Sequence, residues 1–401
     1  MAPTVSPVSV SIVIPCLDES RTISACVARA KEALAVIASR FGLTGEIVVA
    51  DNGSKDGSRD LAAAAGARVI DVAERGYGAA VIAGMQAAGG RYLVMGDADL
   101  SYDFFESVEM IERLLGGASL CVGDRFSGDI KPGAMPWKNQ YIGNPALSSV
   151  LRLLFSTGVR DAHCGLRALT KDCFERLRLT STGMELASEM VIKAALLGES
   201  IAEVPITLSP DQRGRAPHLR PFRDGWRHLR FMLMLSPFWL FIVPAMVFAV
   251  FGFTIIIALI AGLDQTMVKI GPLALGSHWM IVASAAVVIA FQLGFFGLAA
   301  SIYATKEGWR PPSPIMRMVP ALARLEYWML AGALLSLAGL TMIGWVIANW
   351  AATGFGTLNA VRQLSAGFML LVLGVQAFFG GFLLSIISGA RARFVEQMNS
   401  R

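Results

Sequence analysis

The stretch VSVSIVIPCLDES, residues 8–20, opens with an apolar, β-branched run that ends at Pro15 and predicts a buried strand. Residues 18–20, Asp-Glu-Ser, predict the start of a helix that reaches about Arg40, because acidic side chains are favoured at helix N-termini. The same alternation continues, with further strands predicted at 46–50, 67–72, 91–96 and 119–123 and helices at 57–66, 77–88 and 103–115. Alternating strands and helices predict an α/β domain with a mostly parallel sheet and helices on both faces.

Acidic residues follow the carboxyl ends of three of these strands. They are Asp18, Glu19, Asp51, Asp56, Asp97 and Asp99. The ligand crevice of an open α/β sheet lies at the carboxyl ends of its strands, so these carboxylates predict either a metal site or contacts to a bound base and ribose. The glycine-rich turn of dinucleotide-binding domains is absent after the first strand, where IPCLDES stands.

The second part of the chain has the composition of a membrane domain. Residues 231–401 contain only 13 of the 65 charged side chains. Four charge-free runs follow one another there, and each exceeds the roughly 20 residues that cross a bilayer core. The runs predict membrane-spanning helices near 237–262, 279–304, 327–350 and 364–389.

Basic residues near the span ends predict the orientation of these helices. Thirteen Lys and Arg lie on one side, in 213–230, 306–326 and 391–401, and two, Lys269 and Arg362, lie on the other. The positive-inside rule therefore predicts a multi-pass protein of the inner (cytoplasmic) membrane, with the soluble domain and both termini in the cytoplasm. The basic residues beside the spans would meet anionic headgroups of the lipid bilayer, and no long basic stripe on the soluble part indicates a nucleic-acid partner.

Several motifs of the soluble part resemble those of the family 2 glycosyltransferases, which have a GT-A fold. They are SIVIPCLDES (11–20), VVADNGSKDGS (48–58), GDADLSYDF (96–104), DAHCGLRAL (161–169) and IAEVPI (201–206). Followed by an Arg-rich segment and membrane helices, they are similar to the polyprenyl-phosphate glycosyltransferases, such as dolichyl-phosphate mannose or glucose synthases and bactoprenol glucosyltransferases. The predicted organisation is a GT-A domain at 1–210, a basic juxtamembrane segment with an amphipathic helix at 211–235, a four-helix membrane domain at 236–390 and a cytosolic tail at 391–401.

The resemblance implies a nucleotide-sugar site on the acidic turns. Pro15, Leu17 and Glu19 resemble the family's base-binding turn, and Asp51 is a partner for the base or ribose. Two carboxylates one residue apart can hold Mg²⁺ or Mn²⁺ against a diphosphate, since hard cations prefer oxygen ligands. We expect Asp99 to be a direct metal ligand and Asp97 to contact either the metal or the ribose.

The sequence departs from the family pattern beside these carboxylates. Asn52 stands where many members have a second Asp, and Ser101 stands where many have Gln. These departures leave open whether Asp103 contributes to the metal.

Arginines and one further acid complete the predicted site. Arg125 matches the family's basic position near the acceptor phosphate, and we assign Arg167 to the same phosphate. Arg213 and Arg215 match a loop that closes on the diphosphate of the donor. Asp161 is a candidate for orienting the reacting groups or for acting as a general base. The predicted catalytic residues are therefore Asp99, Arg125 and Asp161. His163 is a further polar candidate, although a structural, hydrogen-bonded histidine is the favoured interpretation.

The predicted function is inverting transfer of a hexose from a UDP- or GDP-linked sugar to a polyprenyl phosphate. A phosphate monoester with a second pKa near 6 is already mostly dianionic at neutral pH, so it can attack without a general base. One alternative is another lipid acceptor or processive polysaccharide synthesis, although the QxxRW pattern of processive synthases is absent. The other is a non-enzymatic membrane scaffold, channel or transporter, which charge-free spans disfavour. The oligomeric state is left open, including a homo-oligomer.

Overall fold

The computed structural model describes residues 8–212, 214, 221–262, 267–270, 273–308 and 324–389. The chain divides into two compact units, Met1–Met232 and Leu233–Arg401. The first unit is an α/β domain and the second is a set of long apolar helices.

The first unit is built on a seven-stranded sheet. Its strands are β1 (Val10–Cys16), β2 (Gly45–Asp51), β3 (Arg68–Asp71), β4 (Tyr92–Met95), β5 (Leu120–Ile130), β6 (Arg167–Thr170) and β7 (Ile201–Leu208). Their order across the sheet is β3-β2-β1-β4-β6-β5-β7. Only β6 runs antiparallel to its neighbours, β4 and β5, so the predicted mostly parallel sheet is confirmed.

The helices of this unit follow the predicted alternation through the first four, and the next three were not predicted. They are α1 (Ile23–Phe41), α2 (Ser58–Ala64), α3 (Tyr77–Ala87), α4 (Ser107–Leu115), α5 (Asn144–Phe155), α6 (Lys171–Leu177), α7 (Leu186–Leu197) and α8 (Pro221–Met234). A short 3₁₀ helix, Phe104–Glu106, precedes α4, and a π-helical turn, Asn139–Gly143, precedes α5.

The prediction that α1 begins at residues 18–20 is wrong, because it begins at Ile23. Asp18 has a φ of +53°, and its carboxylate accepts a hydrogen bond from Lys55 N at 2.8 Å. Residues 17–22 therefore form a turn that reaches across to the loop after β2, which places this turn at the candidate site.

The core of the unit lies around its central strands. All seven residues of β1 and all four of β4 are buried. Burial on both sheet faces explains why these strands read as continuous apolar runs rather than as alternating patterns.

The second unit contains the four predicted spans, which are confirmed as helices α9 (Val243–Ala261), α10 (Trp279–Lys306), α11 (Leu325–Ala352) and α12 (Val361–Ser388). A π-helical turn, Phe238–Ile242, extends α9 at its start. Each helix is long and apolar enough to cross a membrane. A two-stranded hairpin of β8 (Met267–Ile270) and β9 (Leu273–Gly276), which was not predicted, lies between α9 and α10.

Glycines allow α11 and α12 to approach closely. A Cβ at Gly332 would lie 2.6 Å from Phe378 N, and a Cβ at Gly374 would lie 2.4 Å from Ser336 N. Small residues at helix contacts are typical of membrane bundles, where close backbone approach replaces the hydrophobic effect as a source of stability.

Candidate functional site

The candidate site lies at the carboxyl edge of the sheet, where β2, β1 and β4 end side by side. Cys16, the last residue of β1, pairs with Asp51, the last residue of β2. β4 lies on the other side of β1 and ends at Met95, two residues before Asp97. The turns that carry the predicted donor-site residues therefore leave the sheet next to one another.

Asp51 has one satisfied and one unsatisfied carboxylate oxygen. Its Oδ2 accepts hydrogen bonds from the backbone N–H groups of Gly53 and Ser54, both at 3.1 Å. Its Oδ1 is buried and has no hydrogen-bond partner among the residues that the structure describes. Leaving a buried carboxylate oxygen unpaired is costly, so a ligand that donates an N–H or O–H group here would be stabilised.

Asn52 holds the neighbouring turn in place. Its Nδ2 donates to the carbonyls of Val72 and Glu74 at 3.3 and 2.7 Å, and its Oδ1 accepts from Gly76 N at 2.7 Å. The amide that replaces the family's second Asp thus ties the end of β2 to the turn before α3.

Asp56 connects two turns of the site. Its Oδ2 accepts from Ser20 N at 2.9 Å, and its Oδ1 accepts from the backbone N–H and the hydroxyl of Ser58. Burial opposes ionisation, but these hydrogen bonds lower the pKa of Asp56 to about 2. Both oxygens of Asp56 therefore accept hydrogen bonds within the domain, whereas Oδ1 of Asp51 remains for a ligand.

The predicted base-binding turn is folded against the loop after β2. Pro15 and Glu19 are buried, whereas Leu17 is exposed. Glu19 N donates to Ser58 Oγ at 2.8 Å, and the hydroxyl of Thr22 lies 3.5 Å from Glu19 Oε2. Leu17 offers exposed apolar surface directly after Cys16, the residue that pairs with Asp51, and the roles of all three residues in donor binding stay predictions.

Asp97 is oriented by a tyrosine that the sequence analysis did not single out. The hydroxyl of Tyr77, the first residue of α3, donates to Asp97 Oδ1 at 2.9 Å. Burial and the Asp97 carboxylate raise the pKa of Tyr77 well above its usual value, so the hydroxyl stays protonated and can donate. Asp97 Oδ2 faces Gly165, where an added Cβ would come within 2.7 Å. The glycine of the DAHCGLR motif therefore makes room for this carboxylate.

Asp99 is anchored on the turn after β4 and contacts the segment after β7. Ser101 N donates to Asp99 Oδ1 at 3.0 Å, and Gln212 N donates to the Asp99 carbonyl at 3.1 Å. Arg213 follows Gln212 directly in the sequence. The predicted diphosphate-binding residues Arg213 and Arg215 themselves lie outside the described residues.

The site offers two carboxylates to a divalent cation. No group of three or more His, Cys, Asp or Glu side chains that could hold an ion occurs in the described parts of the chain. Mg²⁺ is commonly bound through one or two carboxylates together with phosphate oxygens and water. Asp97 and Asp99 therefore fit an ion that is held jointly with a diphosphate.

Asp103 does not join these two carboxylates. Its Oδ1 accepts from Phe105 N at 3.0 Å and so caps the 3₁₀ helix, and Arg29 forms an ion pair with Oδ2 at 2.5 Å. Helix capping and this ion pair explain the acid at position 103 without a metal.

Arg125 and Asp161, two predicted catalytic residues, form one buried ion pair. Arg125 Nε and Nη2 donate to the two oxygens of Asp161 at 2.6 and 2.8 Å, and Arg125 N donates to Oδ2 at 3.2 Å. The bidentate geometry fits the planar guanidinium group to the carboxylate. Asp161 is fully buried. In this arrangement its two oxygens accept hydrogen bonds from Arg125 and do not act as a base toward an acceptor substrate.

Arg167 is buried under the same motif. Its Nε, Nη1 and Nη2 donate to the carbonyls of Cys164, Ala187 and Ala162 at 2.8, 2.7 and 2.6 Å. The side chain has no exposed surface. These contacts give Arg167 a structural role, and its assignment to the acceptor phosphate stays a prediction.

His163 belongs to a histidine pair that connects the DAHCGLR motif to α8. Ser188 Oγ lies 2.7 Å from His228 Nδ1 and 3.4 Å from His163 Nε2, and the two imidazole rings are 4.7 Å apart. Burial and the charges of His228, Arg125 and Arg167 lower the pKa of His163 well below its usual value. A neutral, packed histidine agrees with the structural interpretation favoured from the sequence.

Tyr77 and Gln212 are the site residues that sequence reasoning missed. Tyr77 stands at the start of the helix predicted at 77–88, and Gln212 stands directly before the predicted arginine loop. No spacing rule connects Tyr77 to Asp97, which is twenty residues away, so only the fold reveals their hydrogen bond.

Two family models match the chain. Residues 11–178 match glycosyl transferase family 2, and residues 298–388 match the glycosyltransferase family 2 C-terminal transmembrane region. The low-salt glycan biosynthesis hexosyltransferase Agl6 of Haloferax volcanii is 35% identical over 378 residues, which cover 94% of this chain and 88% of that protein. A dolichyl-phosphate hexose transferase of the same organism is 32% identical over 44% of this chain and 75% of its own length.

Among solved structures, a glucosyl-3-phosphoglycerate synthase from Mycobacterium tuberculosis superposes with a TM-score of 0.43 at 22% identity, over 56% of this chain and 77% of that chain.

The chain belongs to glycosyltransferase family 2. It is an enzyme that combines a GT-A catalytic domain with a membrane domain of the type found in this family.

Proposed function

We propose that this protein transfers a hexose from a nucleotide sugar to a polyprenyl phosphate at the cytoplasmic face of the membrane, with inversion at the anomeric carbon. The observation that carries the proposal is the relationship to a hexosyltransferase over 94% of the chain, membrane helices included. The resemblance to a dolichyl-phosphate hexose transferase supports the choice of acceptor.

The donor is proposed to bind along the acidic edge of the sheet. The unpaired Oδ1 of Asp51 accepts a hydrogen bond from the base or ribose, beside the turn that contains Pro15, Leu17 and Glu19. The diphosphate lies toward Asp97 and Asp99, and Arg213 and Arg215 close over it, since the planar fork of Arg suits phosphate oxygens.

Asp97 and Asp99 are proposed to hold Mg²⁺ or Mn²⁺ at this position. When bound, the ion would neutralise the negative charge that develops on the departing diphosphate. Tyr77 positions the Asp97 carboxylate, and the backbone N–H of Ser101 positions that of Asp99.

A phosphate acceptor agrees with the pairing of Asp161. A hydroxyl acceptor would need a general base in hydrogen-bond reach, but both oxygens of Asp161 accept from Arg125. A phosphate monoester is mostly dianionic at neutral pH and supplies its own nucleophilic oxygen. The proposed role of Arg125 is to contact this phosphate while Asp161 holds the guanidinium in place.

An exposed apolar surface of the first unit supports action at a bilayer. Trp137, Tyr141, Ile142 and Leu153 are each more than half exposed, and residues 131–160 contain four Lys or Arg and no Asp or Glu. Aromatic and basic side chains together are typical of surfaces in the headgroup layer. A polyprenyl phosphate presents its phosphate in that layer.

An acceptor panel tests the proposal. Purified protein is incubated with radiolabelled UDP- and GDP-hexoses and with vesicles that contain undecaprenyl phosphate, dolichyl phosphate or diacylglycerol. We expect labelled lipid with a polyprenyl phosphate and one nucleotide sugar, and none with Asp99→Asn. Label in diacylglycerol alone would favour the glycolipid-synthase alternative, and no labelled lipid with any combination would contradict the proposal.

A further inference from the structure

Gln292 lies at the middle of α10 with its side chain exposed. It is 13 residues from Trp279 and 14 residues from Lys306, the two ends of the helix. At about 1.5 Å per residue, roughly 20 Å of helix separates the amide from either end, which is farther than a glutamine side chain reaches. Gln292 has no hydrogen bond to any residue that the structure describes.

This exposed amide is unusual for a membrane span. Hydroxyl groups in these helices can bond to their own backbone, as Ser301 Oγ does with the Gly297 carbonyl at 2.7 Å and Thr341 Oγ1 with the Ala338 carbonyl at 2.9 Å. A primary amide carries two N–H groups and a carbonyl, which one backbone carbonyl cannot satisfy. Hydrocarbon offers no substitute, and none of the described residues supplies a partner, so a polar group of a neighbouring chain would stabilise the Gln292 amide.

The exposed side chains around Gln292 form a stripe along α10 with alternating spacings of three and four residues. The stripe comprises Val282, Ala285, Ile289, Gln292, Phe296, Ala299 and Tyr303, of which only Ala299 is half-buried and the others are exposed. This spacing is that of the contact seam of a left-handed coiled coil. The stripe contains no charged residue, and Gln292 is at its centre.

We propose that this stripe is the seam of a homodimer in which Gln292 pairs with Gln292 of the partner subunit. Two copies related by a two-fold axis along the membrane normal place each residue of a parallel helix pair at the depth of its counterpart. Because an amide both donates and accepts, two identical glutamines can exchange two hydrogen bonds. A single polar residue in a coiled-coil seam also fixes the register of the helices.

A second copy fits the stripe better than lipid or a different protein. Acyl chains provide no hydrogen-bond partner, so lipid would leave the amide unsatisfied. The stripe has no charge to select an oppositely charged helix, whereas an uncharged amide at its midpoint is complementary to itself.

Cysteine cross-linking in native membranes tests the seam. The five native cysteines are all buried in the first unit, so they contribute little background. Ile289→Cys and Phe296→Cys flank Gln292 by one turn on each side and should form disulfide-linked species of twice 42.9 kDa on mild oxidation. Leu334→Cys on α11 and Phe379→Cys on α12 are controls at positions even more exposed than the seam and should stay monomeric.

A matched pair of substitutions tests the amide itself. Gln292→Leu should weaken dimerisation in detergent or nanodiscs by about 5- to 30-fold, because interhelical hydrogen bonds of this kind contribute that much. Gln376→Leu removes the same group from a partly buried position at similar depth in α12 and should leave the dimer unchanged. Light scattering on the full chain gives both results.

The results that would support the homodimer differ from those that would overturn it. Seam-specific cross-links together with loss of the dimer only in Gln292→Leu support the proposal. It is overturned if the wild type is monomeric in membranes, if the control cysteines cross-link as well as the seam, or if a seam cysteine joins a partner of another mass. Because the readout is association, it is independent of whether the hexosyltransferase assay succeeds.

Discussion

The hydroxyl of Tyr77 donates to Asp97 Oδ1 across 2.9 Å, and this bond connects the first residue of α3 to the acidic turn after β4. It occupies one oxygen of Asp97, while the other faces Gly165, where an added Cβ would come within 2.7 Å. A carboxylate that is already held in one orientation loses less conformational entropy when it binds a cation. Positioning residues raise metal affinity in this way.

Tyr77→Phe should therefore weaken metal-dependent donor binding while keeping the ring in place. Loss of a hydrogen bond to a charged group costs about 1.5–3 kcal/mol, which corresponds to about 10-fold or more in affinity. Calorimetry of nucleotide binding at several Mn²⁺ concentrations measures this effect. Tyr92→Phe, at the opposite end of β4, is the matched control and should bind as the wild type does. Equal binding by both variants would remove Tyr77 from the site.

Asp99→Ala should abolish transfer and leave the fold intact, because it removes a carboxylate from the proposed metal position. EDTA should inhibit the wild type, and added Mg²⁺ or Mn²⁺ should restore its activity. Initial rates and circular dichroism of the same preparations give the answer. An enzyme that stays fully active in EDTA would rule out the metal assignment.

Arg125→Ala should raise the KM for polyprenyl phosphate or lower kcat, with little change in donor binding. It should also destabilise the fold, because an unpaired Asp161 would remain buried, at a cost of about 3–5 kcal/mol. Asp161→Ala should destabilise to a similar degree, and the double variant should be less destabilised than the sum of the two. Bisubstrate kinetics and thermal unfolding measure both effects. An effect of Arg125→Ala on the nucleotide sugar alone would mean that the acceptor site lies elsewhere.

His163 should make the fold less stable in mild acid. Its folded pKa is lowered by burial and by nearby positive charges, whereas an unfolded histidine titrates near 6.5. Above that pH both states are neutral, and below it only the unfolded state takes up a proton, so stability falls as pH falls. The slope for one proton is at most about 1.4 kcal/mol per pH unit. His163→Gln should reduce the loss of melting temperature between pH 7.5 and 5; an unchanged pH profile would contradict this role.

Chemical labelling of introduced cysteines tests the orientation of the membrane domain. With thirteen basic residues on one side and two on the other, we expect Gly276→Cys to react with a membrane-impermeant thiol reagent in intact cells and Gly308→Cys to be protected. The native cysteines are buried and contribute little background. The reverse labelling pattern would put the catalytic domain outside, away from nucleotide sugars.

The strands and spans were predictable because their signal is local. The run at 8–15 and the four charge-free stretches each carry enough apolar residues to identify an element on their own. Strand β6 was not predicted, since it is only four residues long and begins with Arg167, whose burial depends on three carbonyls elsewhere in the fold.

The site was predictable as a set of positions but not as a set of contacts. Strand-end turns indicated Asp51, Asp97 and Asp99, because parallel strands bring their carboxyl ends to one edge. The pairing of Arg125 with Asp161 spans 36 residues of chain, and no pattern in the sequence indicates it. An arginine predicted as a ligand contact therefore also has a structural partner.

The most direct test of the proposed reaction follows the phosphate of the acceptor. Purified enzyme is given ³²P-labelled polyprenyl phosphate and an unlabelled nucleotide hexose, and the lipid product is isolated for mass spectrometry and for NMR of the anomeric proton. We predict a product that keeps the labelled phosphate, gains one hexose and has the anomeric configuration opposite to that of the donor. A hexose attached to a lipid hydroxyl, or a product with retained configuration, would contradict direct attack by the acceptor phosphate.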